Sequence, residues 1–301
     1  MKTFLSVTKR NVKIFFKDKV MFFTSLITPV ILLVLYMTFL ADVYKDGFDK
    51  SIAEAGVTVP KKLINGMVGG QLVSSILAVS CVTVAFCSNL LMVNDKMSGA
   101  KKDMAVSPTK KYVFAFSYYA STLMTTLIVT LTAMTACLIY IACSGWYMSF
   151  GDVMLLLLDI FLLTMFGTAL SSCVNVFLST NGQASAVGTI VSSGYGFICG
   201  AYMPISQFGK GLQYVLGLLP GTYGTSLVRN HALAGALREC SKSGFSPDVV
   251  ERIKDSVDCN LYFFGNKVSV GAMYGVMIGT VVLLVGIYIL INVLKKEGKG
   301  K

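Results

Sequence analysis

The sequence predicts an all-α polytopic integral membrane protein with six transmembrane helices, an N-terminal interfacial helix, and broken re-entrant outer helices after the fifth span. Three observations predict this fold. Of 301 residues, 54% are apolar and only 14% are charged, whereas soluble domains carry about 25% charged residues. The mean hydropathy is +0.70. Six stretches reach the roughly 20 apolar residues that a spanning helix needs. We therefore expect one transmembrane domain over residues 1–301.

The six spans follow from the apolar stretches in chain order. The first stretch is longer than the apolar core of a signal peptide, which has about 7 to 15 residues. We therefore expect it to remain in the mature protein. The predicted spans are 20–41, 68–93, 112–143, 153–178, 183–203 and 269–294.

The distribution of charge predicts the orientation. The chain has 26 basic and 15 acidic residues, a net charge of +11. With both ends inside, the inner segments carry 15 basic residues against four acidic ones, and the outer segments carry 11 against 10. This bias follows the positive-inside rule. We therefore expect a multi-pass plasma membrane protein with both termini in the cytoplasm. Nucleic acid is not an expected partner, since no polar domain clusters basic and aromatic residues.

Residues 1–19 precede the first span and predict a helix lying in the membrane interface. On a helical wheel, basic side chains occupy one side and an apolar arc occupies the other. A disordered basic leader is the alternative. The arc consists of Phe4, Leu5, Thr8, Val12, Phe15 and Phe16, and it faces away from Lys2, Lys9, Arg10, Lys13 and Lys17.

Two loops and a tail complete the first part of the topology. Residues 42–67 form an outer loop, 94–111 an inner loop and 295–301 a cytoplasmic tail. In the inner loop, Gly99 and Pro108 bracket a short helical stretch at 100–106. By its residues alone, this loop could serve only to set the topology.

The segment 204–268 is predicted to lie on the outer face. Glycines and prolines become frequent after Gln183, and broken helices packed against protein tolerate such residues within a membrane. We expect short re-entrant helices at about 206–219 and 222–234. Close helix packing through small residues is the alternative.

Two of the eight cysteines, Cys240 and Cys259, fall in this outer segment, and the other six fall in spans as apolar fillers. A disulfide between the outer pair would close about 20 residues and add roughly 3 kcal/mol in the loop-entropy model. The sequence does not show whether the geometry permits this bond, so both states stay open.

Signatures of catalysis are missing from the sequence. It contains no G-x-x-x-x-G-K-[ST] phosphate loop, so we expect no nucleotide hydrolysis in this chain. The one histidine, His231, is placed in the outer segment, away from the spans, and no metal site is predicted. A single acid, Asp159, falls inside a span. Both a structural role and a substrate contact stay open for it, and one shallow acid is weak support for ion-coupled transport.

Four motifs accompany the interfacial helix and the six predicted spans: D-K-M-S-G at 95–99, S-P at 107–108, G-A-Y-M-P-I at 200–205 and L-P-G-T-Y at 219–223. In this order, the features resemble the membrane subunits of type 2 ATP-binding cassette exporters over nearly the whole chain. In that family an acidic residue and a glycine after the second span open a coupling helix that docks on the ATPase. The resemblance thus implies an ATPase-coupling site at Asp95, Gly99, Lys101, Lys102, Ser107 and Pro108.

The resemblance also implies the partners and the mechanism. Two copies of a separate ATPase subunit would bind ATP and Mg, and this chain would hold no cofactor itself. A second permease subunit would complete a homodimer or a heterodimer, surrounded by membrane lipids. Closure of the ATPase pair would push on the coupling loop and the interfacial helix, and the spans would switch access to a central cavity.

In the family, the second and fifth spans supply most of the cavity wall, and the broken outer helices act as a gate. Packing or lipid-facing roles are the alternative for each of these side chains. The resemblance implies a substrate path with Phe86, Asn89, Tyr195 and Phe197. It implies an outer gate with Pro204, Pro220 and Tyr223.

The expected function is therefore that of an exporter permease. An apolar, aromatic interior with almost no fixed charge favours an amphiphile, such as a drug, an antimicrobial peptide or a lipid. The alternatives are a polysaccharide-exporting permease of the same family, an autonomous secondary transporter or channel, and a membrane scaffold or immunity-type sensor.

Overall fold

The computed structural model describes residues 2–36, 38, 41–42, 44–46, 48 and 60–294. The described chain is almost entirely helical. The helices are α1 (Lys2–Lys17), α2 (Lys19–Leu35), α3 (Lys61–Met97), α4 (Ala100–Ala105), α5 (Lys111–Ser144), α6 (Phe150–Asn175), α7 (Asn181–Ile198), α8 (Lys210–Leu216), α9 (Pro220–Lys242), α10 (Pro247–Ser256) and α11 (Val270–Leu294). A 3-10 turn (Ile205–Gln207) precedes α8, and the antiparallel strands β1 (Tyr262–Phe263) and β2 (Asn266–Lys267) precede α11.

Four of the described helices, α3, α5, α6 and α11, are long and apolar enough to cross a membrane. The pair α1 and α2 would add a fifth span, but it is bent by 73°. The bend falls at Asp18, whose side chain accepts a hydrogen bond from the Met21 amide at 3.1 Å and so starts a new helix. The fifth predicted span corresponds to α7, which does not pass the same test. The count of six spans stays a prediction.

Helix α3 is longer than the predicted span 68–93. It takes in the end of the predicted outer loop and the first residues of the predicted inner loop, so Asp95 lies in its last turn. Hydropathy marks only the part of a helix that faces apolar surroundings, whereas backbone hydrogen bonds continue into its polar ends. The rest of the predicted outer loop, mainly 49–59, and the predicted tail 295–301 lie outside the described residues.

Helix α3 is also the centre of the bundle. It packs against α2, α5, α6, α7 and α9. Two glycines allow neighbouring helices to approach α3 closely. A Cβ atom on Gly167 of α6 would lie 2.7 Å from the Cys81 carbonyl oxygen, and one on Gly70 of α3 would lie 2.9 Å from the Ala232 carbonyl oxygen. Small residues of this kind allow helix backbones to approach closely.

Both described ends of the chain lie at the same end of the bundle as α4. Ser117, near the start of α5, donates to the Phe4 carbonyl of α1 at 3.4 Å. The Tyr288 hydroxyl of α11 donates to the Ala115 carbonyl at 3.2 Å. At the same end, Lys96 donates to three carbonyls where α6 ends, the nearest at 2.7 Å. The two described ends of the chain, the start of α5 and the end of α6 therefore lie together at one end of the bundle.

The outer segment differs in its helix boundaries from the prediction. The first predicted helix, 206–219, is divided into the 3-10 turn and α8. The second was expected to end near 234, but α9 continues to Lys242. The reason is tertiary packing, since Ala236, Leu237 and Cys240 are buried against side chains of α3 and α10. Re-entry of these helices into the membrane stays a prediction.

Candidate functional site

A cavity of about 1060 Å³ lies between α2, α3 and α7. Its two main walls differ in chemistry. Helix α2 supplies mainly aliphatic side chains, together with the hydroxyl groups of Thr24 and Thr28, whereas α7 supplies mainly hydroxyl groups and a glycine. None of the described residues that line the cavity carries a formal charge. The wall of α2 includes Ile27, Ile31 and Leu35, and that of α7 includes Ser185, Gly188, Thr189, Ser192 and Ser193.

Of the predicted path residues on α3, neither lines the cavity. Phe86 is buried in the core, and Asn89 donates to the Ser171 hydroxyl at 3.1 Å and to the Ser172 hydroxyl at 2.9 Å. The cavity wall is formed instead by Cys87 and Leu90. Positions three apart share one helix face, so residues 87 and 90 form a different stripe from 86 and 89.

On α7, the structure separates the two predicted path residues. Phe197 lines the cavity and is 52% exposed. Tyr195 is buried beneath the start of α9, where a Cβ atom on Gly221 would lie 2.6 Å from its hydroxyl oxygen. Of the four predicted path residues, only Phe197 reaches this cavity.

The predicted gate residues also fall in two places. Pro204 lines the cavity, together with Met203 and Gln207. Pro220 occupies the first turn of α9, where proline is well tolerated. Tyr223 lies in the core, and its hydroxyl donates to the Gly217 carbonyl at 2.5 Å. Among these three residues, only Pro204 lies at the cavity.

A buried ion pair close to Pro204 was not predicted from the sequence. Arg229 of α9 is 1% exposed, and its Nη1 lies 3.4 Å from Asp258 Oδ2. Burial raises the pKa of the Asp258 carboxyl, and the Arg229 guanidinium opposes that shift. One signal pointed to this site, because Arg229 is a single charge within a predicted re-entrant helix, and such charges are costly unless paired.

A second unpredicted cluster joins α6, α9 and α11. His231 Nδ1 lies 2.5 Å from Asp159 Oδ2, and the Tyr274 hydroxyl donates to Asp159 Oδ1 at 2.5 Å. The expectation that His231 stands apart from the spans is therefore wrong. Helix α9 packs along α6 and brings the histidine to the acid. Asp159 has a hydrogen-bonding role between helices, and it does not line the cavity.

At the end of the bundle where α4 lies, Asp95 holds three helices together. Its carboxylate accepts hydrogen bonds from Arg10 Nη1 at 2.6 Å and Nη2 at 2.9 Å, and from the Tyr118 hydroxyl at 2.6 Å. A bidentate pair of this kind is strong and geometrically specific. Asp95 is 4% exposed, so it faces the interior. Asp95 is one of the residues predicted to couple to the ATPase. In the structure it connects α1 and α5 to α3, and little of its surface is available to a partner.

The remaining coupling residues surround α4. The short helix predicted at 100–106 is confirmed as Ala100–Ala105. Gly99 begins it with φ of +83°, a conformation that side chains other than glycine adopt at a cost. The half-buried Lys101 and Ser107 flank the exposed surface of this loop. The exposed residues of that surface are Lys102, Asp103, Val106 and Pro108.

The two outer cysteines are free thiols in the structure, as are the other six. Both Cys240 and Cys259 are buried in one cluster with the start of α3 and with α10. The Cys240 thiol lies 3.6 Å from the Met67 sulfur atom. Its side chain contacts α3 instead of bonding with Cys259, so the disulfide is not formed.

The comparison with known families agrees with this architecture. The family model described as ABC-2 type transporter matches residues 2–232, from α1 into α9. No curated protein gave a significant match. The matched region contains the cavity walls, the inner cluster around Asp95 and the α4 loop. The chain therefore belongs to the ABC-2 type transporter family and is a membrane subunit of an ABC transporter.

Proposed function

We propose that this chain is the permease subunit of an ATP-driven exporter that moves an uncharged amphiphile out of the cell. The observation that carries the proposal is the uncharged cavity between α2, α3 and α7, with one mainly aliphatic wall and one rich in hydroxyl groups. Two copies of a separate ATPase subunit would power transport, and a second permease subunit would complete the complex in the plasma membrane. Both termini would be cytoplasmic.

The chemistry of the cavity supports this substrate class. Binding sites for small molecules are mostly apolar, with a few polar groups that fix orientation. Serine and threonine hydroxyls on α7 could hydrogen-bond to a polar head, while the isoleucines of α2 contact an apolar body. A fully ionised substrate would lose its hydration here without meeting an opposite charge, which is costly. Drugs, peptides and lipids with few charges fit this environment.

The inner end supports coupling to a partner. Helix α4 follows directly on α3, which supplies Cys87 and Leu90 to the cavity. The Arg10–Asp95 pair ties α1 to the same end of α3. Force applied by an ATPase to α4 and α1 would therefore reach a helix that forms part of the cavity wall.

The test is transport in proteoliposomes with and without the ATPase, using fluorescent drug, peptide and lipid amphiphiles. We expect uptake only with ATPase and ATP present. Gly188→Trp should abolish it, because Gly188 lines the cavity with open space beside it. Gly194→Trp is the matched control, since this glycine also has open space but does not line the cavity. Transport without the ATPase, or normal transport by Gly188→Trp, would refute the proposal.

A substitution at the start of α4 tests the coupling step. Gly99→Val should reduce substrate-stimulated ATPase activity by about tenfold, because a left-handed conformation costs a side-chain-bearing residue roughly 1–2 kcal/mol and α4 would be displaced. Membrane insertion and folding should be unchanged, since nothing lies within 4 Å of a Cβ atom here. Gly182→Val, equally open and without a positive φ, serves as the control. Full stimulation of Gly99→Val would rule out this coupling site.

A further inference from the structure

Two segments distant in sequence cover the outer end of the cavity. The first follows α7 and contributes Met203, Pro204 and Gln207. The second is the end of α10, which contributes Ser256 and Val257. We refer to residues 202–207 and 256–258 together as the roof. Both segments line this end of the cavity, so the contacts between them hold this part of the cavity lining together.

Asp258 joins the two segments of the roof. It follows Val257 directly, and its carboxylate accepts hydrogen bonds from the backbone amides of Ile205 at 2.5 Å and Ser206 at 3.1 Å. Its backbone is left-handed, with φ of +55°. A non-glycine residue in this conformation persists only where its surroundings hold it. The conformation here directs a carboxylate from one roof segment onto the backbone of the other.

Arg229 contacts the second roof segment, the chain just before the first roof segment, and α3. Its Nη2 donates to the Gly200 carbonyl at 2.8 Å, just before the first roof segment, and lies 3.4 Å from the Ser75 hydroxyl of α3. Its Nη1 lies 3.4 Å from the Asp258 carboxylate. A fully buried arginine needs such partners, because an unpaired charge in the interior is strongly destabilising. The guanidinium thus connects both roof segments to α3.

We propose that Arg229 and Asp258 form a clasp that closes the outer end of the cavity and must open for substrate to leave. This inference rests on the proposed function, because it takes the cavity to be the substrate path. The clasp residues do not line the cavity themselves. They are positioning residues that act through the backbone of the roof.

A second ion pair on the outer side provides a matched control. Arg238, also on α9, bonds to the Asp152 carboxylate at the start of α6. Neither residue lines the cavity, and neither contacts a roof segment through a described hydrogen bond. Disrupting this pair removes a charge interaction from the same helix without touching the roof.

Cys87 lines the cavity. The accessibility of its thiol to a labelling reagent therefore shows whether the outer end of the cavity is closed. Purified permease in liposomes is treated from the outer side with a membrane-impermeant maleimide, and modification of each cysteine is measured by mass spectrometry. Asp258→Asn should increase the rate of Cys87 labelling by about tenfold, the order expected from losing a charge-assisted hydrogen bond. Asp152→Asn should leave the rate unchanged. The exposed Cys143 serves as the internal standard.

Further measurements keep the inference testable if Asp258→Asn does not fold. The double variant Arg229→Gln with Asp258→Asn leaves no buried charge unpaired and should also label Cys87 faster. In the unmodified protein, the Ile205 and Ser206 amides should be protected from hydrogen exchange. Wild-type labelling rates in a folded clasp variant, or unprotected amides, would overturn the clasp. Because no ATPase is present, these results are independent of the transport test.

Discussion

Replacing Gly235 with alanine is expected to lower the stability of the protein by at least about 3 kcal/mol, the upper range of overpacking effects. Gly235 lies in α9, where it faces the connection between α5 and α6. A Cβ atom at this position would overlap the Tyr147 carbonyl group and would lie 2.8 Å from the Met148 amide nitrogen. These are backbone atoms, which cannot turn aside as a flexible side chain could. Relief requires α9 or the whole connection to move.

The expected measurement is a drop in the unfolding temperature of the purified protein in detergent. Gly275→Ala is the matched control, because this glycine in α11 has open space around it. Alanine there should be neutral or stabilising by up to about 1 kcal/mol, the difference in helix propensity. If both variants unfold at the temperature of the unmodified protein, the packing of α9 against residues 147–148 is wrong.

Replacing Asp95 with alanine is expected to uncouple the permease from its ATPase. The change removes the acceptor for both Arg10 nitrogens and for the Tyr118 hydroxyl. Unsatisfied buried polar groups cost about 1–3 kcal/mol each, although the Arg10 side chain is 37% exposed and can recover some hydration. Helix α1 should then separate from the base of α3, and force on α1 should no longer reach the cavity.

Two measurements check this expectation. Trypsin should cleave α1 faster in the variant, and ATP-driven transport should fall by at least about tenfold. Asp248→Ala is the control, because this acid is exposed and lies in α10, outside the proposed coupling loop. The proposed linkage fails if Asp95→Ala retains full transport, or if Asp248→Ala has the same defect.

The residues around α4 show which features could be predicted from the sequence and which could not. The glycine and proline around 100–106 predicted a short helix, and α4 forms there. The same pattern placed Asp95 in a loop with its neighbours. It could not indicate that Arg10, 85 positions earlier, would bond to this acid. Local turn signals depend on adjacent residues, whereas an ion pair depends on which helices pack together.

The cavity wall shows a second reason why some site residues could not be predicted from the sequence. The buried face of a helix can be inferred from the sequence when one face is apolar and the other polar. Helix α3 is buried on nearly all sides and does not divide into an apolar face and a polar face. No periodicity distinguishes the stripe with Cys87 and Leu90 from that with Phe86 and Asn89. Only the positions of α2 and α7 decide which stripe faces the cavity.

By itself, the sequence determined the membrane class, most of the helices and the family, because hydrophobic length, charge bias and short motifs are local properties. Tertiary structure alone decided the partners of the buried charges. Asp159 meets His231 across 72 positions, and Arg229 meets Asp258 across 29. Burial makes such pairs necessary, since an unpaired charge is costly away from water. Which partner each charge finds is decided by the packing of the helices.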